Sequence, residues 1–506
     1  MNKSTELDVK VKFGLKSFIT VVAILLAVLI AVGVLTYVIP AGRYTVYTTD
    51  ESKIGEPFYQ YITDESLDKQ IVIDSYREIS DAENTSRLPV LRWFISPIEA
   101  MFLGSNKSNM LMIIALLLVL GGTFKVLEES GGLVSLVRVI MVKLHSKRFV
   151  AIWIINAIIM ILSSVFGLQE QLLILYPIFA MLCTALNWSR FTAISFVLIS
   201  SGVGFTTAIT NPVTIGTASI AAGVSVTDGL WYRCIIFCVM YVVTSLFLVF
   251  LCKRDEKKVT EKFDFKGFTM VTEEEHFEDV RKAKMITILF SIALLSVIVT
   301  TSIAALRSLA MVFMAVAFIV GTVIVGRNLL GSYRSLGMSF VKGVKDVLPS
   351  IVIIMIAFGI TYIAQQGNIL HTIFHYFYNS VTNISPYLAV IILYVFVLII
   401  EFFIPSASAK AVLIIPMLTL APIDGISKTV IILTYLFADG YTNVLYPTCG
   451  TLLVGLGLAD VSFAEWFKKT ILFQLLLFII SIGFLMLAVF IGLYINMKCN
   501  YNQSNL

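Results

Sequence analysis

Long apolar runs, each near or above the ~20 residues that span a bilayer, recur along this chain with polar segments between them. The first, Phe18 to Ile39, exceeds a signal-peptide core and lacks a cleavage site, so it is expected to remain as an anchor helix. Asn109 to Val126, Leu230 to Cys252, Met285 to Ala305, Leu309 to Val325, Val347 to Ala364 and about Thr470 to Ile495 read as further spans. Two stretches do not. Phe149 to Leu186 and Leu388 to Leu420 are each too long for one span and break midway, at "SSVFGLQEQ" (Ser163 to Gln171) and "IPSASAK" (Ile404 to Lys410). Polar residues and a helix breaker at that depth need a reason, because an unpaired backbone group in hydrocarbon costs several kcal/mol.

Basic residues orient the spans. Lys3, Lys10, Lys12 and Lys16 place the N-terminus in the cytoplasm, and "KRDEKKVTEK" after Leu230 to Cys252 and "AEWFKK" (Ala464 to Lys469) mark later cytoplasmic segments. Both remain inside only if the two interrupted stretches are re-entrant hairpins. The expected order is an anchor helix (1–40), an external loop (41–104), a first repeat (105–252) with hairpin 149–186, and a cytoplasmic linker (253–284). A connecting helix (285–306), a second repeat (309–495) with hairpin 388–420, and a polar tail (496–506) follow.

Each hairpin is followed by another interruption: "GFTTAITNPVT" (Gly204 to Thr214) and "DGYTNVLYPT" (Asp439 to Thr448). Both hold Thr-Asn, then Pro, then Thr, and the pairs Pro177/Pro416 and Asn211/Asn443 fall in one register. With hairpins opening from opposite sides, the expected fold is an all-α polytopic membrane protein with an inverted repeat, two re-entrant hairpins and two broken helices. Such a fold holds its substrate near the midplane. Free N–H groups at a break suit a carboxylate, and free carbonyls suit a cation. Gly167, Glu170, Gln171, Ser406, Ser408 and Lys410 are therefore candidate substrate ligands. Thr210, Asn211, Thr214, Asp439, Thr442, Asn443 and Thr448 are candidates for a coupling ion, sodium or proton. The bland alternative is that prolines merely kink packed helices. Lys410 reads either as a ligand for a substrate carboxylate or as the partner of Glu170 in a buried ion pair. Glu170 or Asp439 would meet an amine, a proton or a cation. Glu401 is a weaker candidate.

Composition supports a membrane protein: 506 residues, 58% hydrophobic and 14% charged, with mean hydropathy +0.92. The net charge of +5 resides in loops beside spans, so nucleic acid is not an expected partner; the lipid bilayer and a small molecule are. Six cysteines without paired spacing read as small core residues. His371 and His375, at i, i+4 spacing, read as a solvated interfacial face rather than a metal site, since no third ligand is evident. Lys125 reads as a snorkelling side chain. Gly455 and Gly457 form no phosphate loop, and neither a G-x-x-x-x-G-K nor an H-E-x-x-H occurs.

"LTYVIPAGRYT", "GGTFKVLEESGGL", "FGLQEQLLILYPIF", "TNPVTIGTASIAAG", "FFIPSASAKAVLIIPM" and "LFADGYTNVLYPTCGTLLVGLGLA" occur in order along almost the whole chain. In these it resembles the YfcC/DcuC-like carriers of the ion transporter superfamily. The resemblance implies a homodimeric secondary carrier of the prokaryotic cytoplasmic membrane. Its mobile domain would move like an elevator against a scaffold, without a cofactor. Its substrates would be C4-dicarboxylates or basic amino acids of the arginine and ornithine kind. Two positions depart: Gln171 follows Glu170 where a second Glu often stands, and Lys125 replaces a small residue. Both charge signs at the candidate site favour an amino acid moved by an ion gradient or by antiport. A C4-dicarboxylate carrier is the alternative. An intramembrane lipid-modifying enzyme is remote, for want of a nucleophile or metal-carboxylate cluster at depth.

Overall fold

The structure, a computed structural model, describes residues 15–48, 59–61, 75–80, 83–104, 107–144, 147–257, 273–303, 309–381, 384–404, 407–420 and 425–503. Helix α1 (Leu15–Val38) leads to two small strand pairs. Strand β1 (Gly42–Arg43) pairs antiparallel with β4 (Arg77–Glu78), and β2 (Val46–Thr48) pairs parallel with β3 (Tyr59–Tyr61). Helices α2 (Val90–Trp93), α3 (Ser96–Leu103), α4 (Lys107–Glu129) and α5 (Gly132–Leu144) follow. Next come α6 (Arg148–Phe166), a 3₁₀ turn (Glu170–Leu175), α7 (Tyr176–Ala185), α8 (Arg190–Thr207), a π turn (Pro212–Gly216), α9 (Thr217–Ala222) and α10 (Leu230–Glu256). The second half runs through α11 (Glu273–Ser302), α12 (Ala310–Leu330), α13 (Tyr333–Gln366) and α14 (Ile369–Val381). It ends with α15 (Pro386–Phe403), α16 (Ala407–Leu420), α17 (Lys428–Thr442), α18 (Gly450–Leu458) and α19 (Phe463–Gln503).

Nine helical stretches among the described residues are long and apolar enough to cross a membrane. This is a multi-pass membrane protein. The nine include the first arms of both interrupted stretches, Arg148–Phe166 and Pro386–Phe403, and omit the anchor helix, whose described apolar part is Val22–Val38. The 253–284 segment is not linker throughout. Helix α10 continues to Glu256, where Asp255 Oδ2 accepts from Ser189 N–H at 2.9 Å and from the Thr192 hydroxyl at 2.5 Å, tying one helix end to the start of α8. Helix α11 starts at Glu273, because the run Glu273-Glu274-Glu275 suits a helix N-terminus. Likewise the loop 41–104 carries α2 and α3, anchored by buried Trp93, and α19 extends past Ile495 to Gln503.

The helices pack in two groups. Helix α13 lies against α1, α3 and α4; α12 lies against α4 and α11; and α11 lies against α5. Asp279 on α11 fastens that last contact, taking Ser135 Oγ at 2.6 Å and the Arg138 guanidinium at 2.5 Å. In the other group α6, α8 and α10 touch one another pairwise, as do α15, α17 and α19. Helices α8 and α17 join these two triangles. At their crossing glycines replace side chains: a Cβ on Gly202 would lie 2.3 Å from Val444 Cγ1, and one on Gly440 2.2 Å from Thr206 Oγ1. The Arg190–Ala222 window is 94% buried against 22% for Phe463–Gly492, so the broken helix occupies the centre and α19 the rim.

Near β1, the chain closes over α14. Tyr44 N–H donates to His371 Nδ1 at 3.0 Å, and Tyr76 stacks on His375 at 3.9 Å while its hydroxyl donates to Thr372 at 3.0 Å. The histidines therefore pack under the loop rather than forming a solvated face. Burial, then the nearby Arg43 charge, pushes His371 down to about 4. The folded pKa lies below the ordinary value of 6.5, so this contribution is complete above pH 6.5 and is lost as pH falls towards 4. Protonating Nδ1 would set its N–H against that of Tyr44. Proteolysis within 41–80 is expected to accelerate between pH 6.5 and 4.5 in the wild type, and hydrogen exchange there to follow. An unchanged rate across that range would remove the role of His371.

Candidate functional site

The first interrupted stretch breaks after α6 because Gly167, at φ +72°, caps that helix in the left-handed conformation that glycine adopts without strain. A Cβ there would lie 2.4 Å from Asn211 Oδ1, so the first interruption and the broken helix after it are fitted together. At the break Asn211 Oδ1 accepts from the N–H groups of Val213 (2.8 Å) and Thr214 (3.3 Å), an N-cap for the π turn. Ser164 holds the other side, its hydroxyl taking Ile209 N–H and its carbonyl taking Thr210 and Asn211 N–H. The Thr210 hydroxyl donates to Val165 O at 3.2 Å. Asn211 Nδ2 and Thr214 Oγ1 are buried with no partner among the described residues.

In the second half Lys410 decides the chemistry. Its ammonium is fully buried, donates to Asp439 Oδ1 at 2.6 Å and pairs with Glu401 Oε2. Lys410 therefore does not pair with Glu170, and it has no exposed charge to offer a substrate carboxylate. Glu401, on α15 nine residues before it, is the partner that sequence reading ranked too low. Its signal was a lone carboxylate in the apolar run "VLIIEFFIP". Thr442 Oγ1 lies 3.3 Å from Glu401 Oε2 and donates to Asp439 O at 3.1 Å. The Tyr435 hydroxyl donates to Ala407 O at 2.6 Å and steadies the start of α16. Glu401 Oε1, Asp439 Oδ2 and Thr448 Oγ1 are buried with no partner among the described residues.

The two halves meet at the centre. Asn443 Nδ2 donates to Gln169 Oε1 at 2.9 Å, a contact that needed the tertiary fold to be seen. Helix α16 packs on α9 and the π turn, while the 3₁₀ turn packs on α18, so each interrupted stretch reaches the other's short helix. Gln171 Oε1 turns back onto Gln169 N–H at 3.1 Å. Glu170 is half-buried, and among the described residues no side chain pairs with its carboxylate. Ser406 lies outside the described residues, as does the side chain of Ser408 in α16. Lys125 pairs with Glu128 at 3.1 Å and lines a cavity of about 60 Å³ with Asp346 and Pro177, between α4, α13, the 3₁₀ turn and α7. It does not simply snorkel.

A family model described as DcuC, C4-dicarboxylate anaerobic carrier, matches residues 18–490. The putative basic amino acid antiporter YfcC of Escherichia coli (strain K12) is 25% identical over 489 residues, covering 90% of this chain and 94% of that protein. An uncharacterized protein of Haemophilus influenzae is 23% identical over 512 residues, covering 94% of this chain and 98% of that one. Among solved structures, the YdaH transporter of Alcanivorax borkumensis aligns over 94% of this chain and 98% of its own, at 14% identity and TM-score 0.41. MtrF of Neisseria gonorrhoeae aligns over 93% and 95%, at 15% identity and TM-score 0.45.

Proposed function

The chain belongs to the DcuC family of carriers, and on that premise we propose that it exchanges a basic amino acid across the prokaryotic cytoplasmic membrane. It is a transporter, not an enzyme. One observation carries the substrate reading: the centre holds three carboxylates, of Glu170, Glu401 and Asp439, against one ammonium, which is already engaged by two of them. The surplus is negative, so an incoming cation is favoured and a bare dicarboxylate repelled. Glu170, unmatched by any described side chain, is the group for the substrate's second basic group. The description of YfcC as a putative basic amino acid antiporter agrees. The N–H groups after Asn211 are already capped by its own side chain, so the helix start after Thr448 is left for the substrate carboxylate.

The same reading takes the two helix triangles as inverted repeats moving as one body, elevator-fashion, against α1, α3 to α5 and α11 to α13. A homodimer with a cytoplasmic N-terminus completes it. Support comes from the matched pairwise packing of α6, α8, α10 and of α15, α17, α19, and from the Gln169–Asn443 contact that joins the first tip to the second break.

Counterflow in proteoliposomes against basic and neutral amino acids and C4-dicarboxylates tests the proposal. Wild type is expected to exchange arginine-type substrates. Glu170→Gln should weaken their exchange about tenfold or more, ~1.4 kcal/mol or greater, with an unchanged melting temperature. Exchange of dicarboxylates alone would overturn the reading and return the substrate to the one in the family's description.

A further inference from the structure

The arrangement around Lys410 resembles a metal site more than a salt bridge. Glu401 Oε2 from α15 and Asp439 Oδ1 from α17 converge on one point, and Thr442 Oγ1 stands beside them. These are hard oxygen ligands of the kind that bind hard cations, assembled near the C-terminal end of α17. At that point sits the Lys410 Nζ, reaching in from α16 with no exposed surface. A lysine ammonium is a compact point charge with three donors. Two of those meet the carboxylates, while Glu401 Oε1 and Asp439 Oδ2 stay buried without a partner among the described residues. The pocket thus offers more oxygen than an ammonium uses.

We propose that Lys410 is a tethered cation: its ammonium holds the position of a coupling metal ion, and the transport cycle runs without sodium. The proposal rests on reading this centre as that of a carrier, but not on which substrate is carried. A fixed cation offsets one of the two carboxylate charges in every conformation, so the moving domain never carries the bare pair into hydrocarbon and needs no metal ion from either side. A basic substrate then meets only the remaining negative charge.

The test reads stability, not transport, so it stands even if the substrate reading fails. Purified full-length protein is melted in sodium chloride, methylammonium chloride or choline chloride at equal ionic strength and fixed pH. Wild type is expected to melt alike in all three. Lys410→Ala removes the tether and opens a cavity lined by two carboxylates. Its melting temperature should drop in choline and recover by several degrees in sodium or methylammonium, either of which fits the vacated position. If that variant aggregates in choline, monodisperse protein in sodium or methylammonium counts as recovery. The uncharged variant Glu401→Gln, Lys410→Met, Asp439→Asn should show no cation response. The idea is overturned by wild type that sodium stabilises over choline. It is equally overturned by Lys410→Ala that shows no cation-specific shift or aggregates in every salt, or by an uncharged variant that responds as Lys410→Ala does.

Discussion

Alanine at Gly440 is expected to destroy both stability and transport, while alanine at Gly202, on the facing helix, is expected to be largely tolerated. The added methyl group at Gly440 would lie 2.2 Å from Thr206 Oγ1, 2.3 Å from Thr206 N and 2.4 Å from Thr206 Cα. Comfortable carbon contacts lie near ~3.5–4.0 Å. Two of those three atoms are backbone of α8, so no rotamer change relieves the clash and the helices themselves must separate. At Gly202 the one close atom is Val444 Cγ1 at 2.3 Å, and the next neighbours are 3.6 Å away. A valine side chain can turn. Overpacking costs about 1–3 kcal/mol and occasionally more; Gly440 belongs at the upper end, because it follows Asp439 directly and any shift of α17 pulls that carboxylate from Lys410. Thermal melts and counterflow on both variants check this. Equal behaviour of the two would mean that the crossing does not set the geometry of the centre.

Apolar runs and loop charges made the membrane class and most helices legible, since both follow from the cost of leaving polar groups in hydrocarbon. The four interruptions were legible for the same reason: Gly167, Pro212 and the Thr-Asn pairs announce breaks wherever they sit. Helix ends were harder. Polar charged residues continue α10 and begin α11 because charges at helix termini are favourable, whereas a hydropathy reading ends a helix where apolar residues stop. The least legible feature was pairing. Lys410 lies near Glu170 in one plausible folding of the tips and near Glu401 in another, and the sequence holds no term that chooses. The choice comes from α15 and α17 packing side by side, which places Glu401 and Asp439 on the same ammonium. In the same way His371 and His375 looked like an exposed face until Tyr44 folded over the first and Tyr76 over the second.

The buried charges make an ordered set of stabilities that only this pairing produces. Lys410→Met leaves two carboxylates facing each other in a dry interior. Breaking a buried ion pair from one side costs about 3–5 kcal/mol, so this variant should be the least stable. Asp439→Asn leaves Lys410 with Glu401, and Glu401→Gln leaves Lys410 with Asp439 at 2.6 Å; either remainder is a neutral pair. Each should lose nearer the ~1.5–3 kcal/mol of a hydrogen bond to a charged group. Removing all three charges, with Glu401→Gln, Lys410→Met and Asp439→Asn together, should recover much of the loss, because no ion then remains desolvated. Glu170 supplies the control. Adding Glu170→Gln to Lys410→Met should restore far less than the triple variant does, because Glu170 is not among the carboxylates that pair with Lys410. Melts of these variants decide the matter: recovery by Glu170→Gln would put the ion pair across the hairpin tips, and recovery only in the triple variant keeps it between α15, α16 and α17.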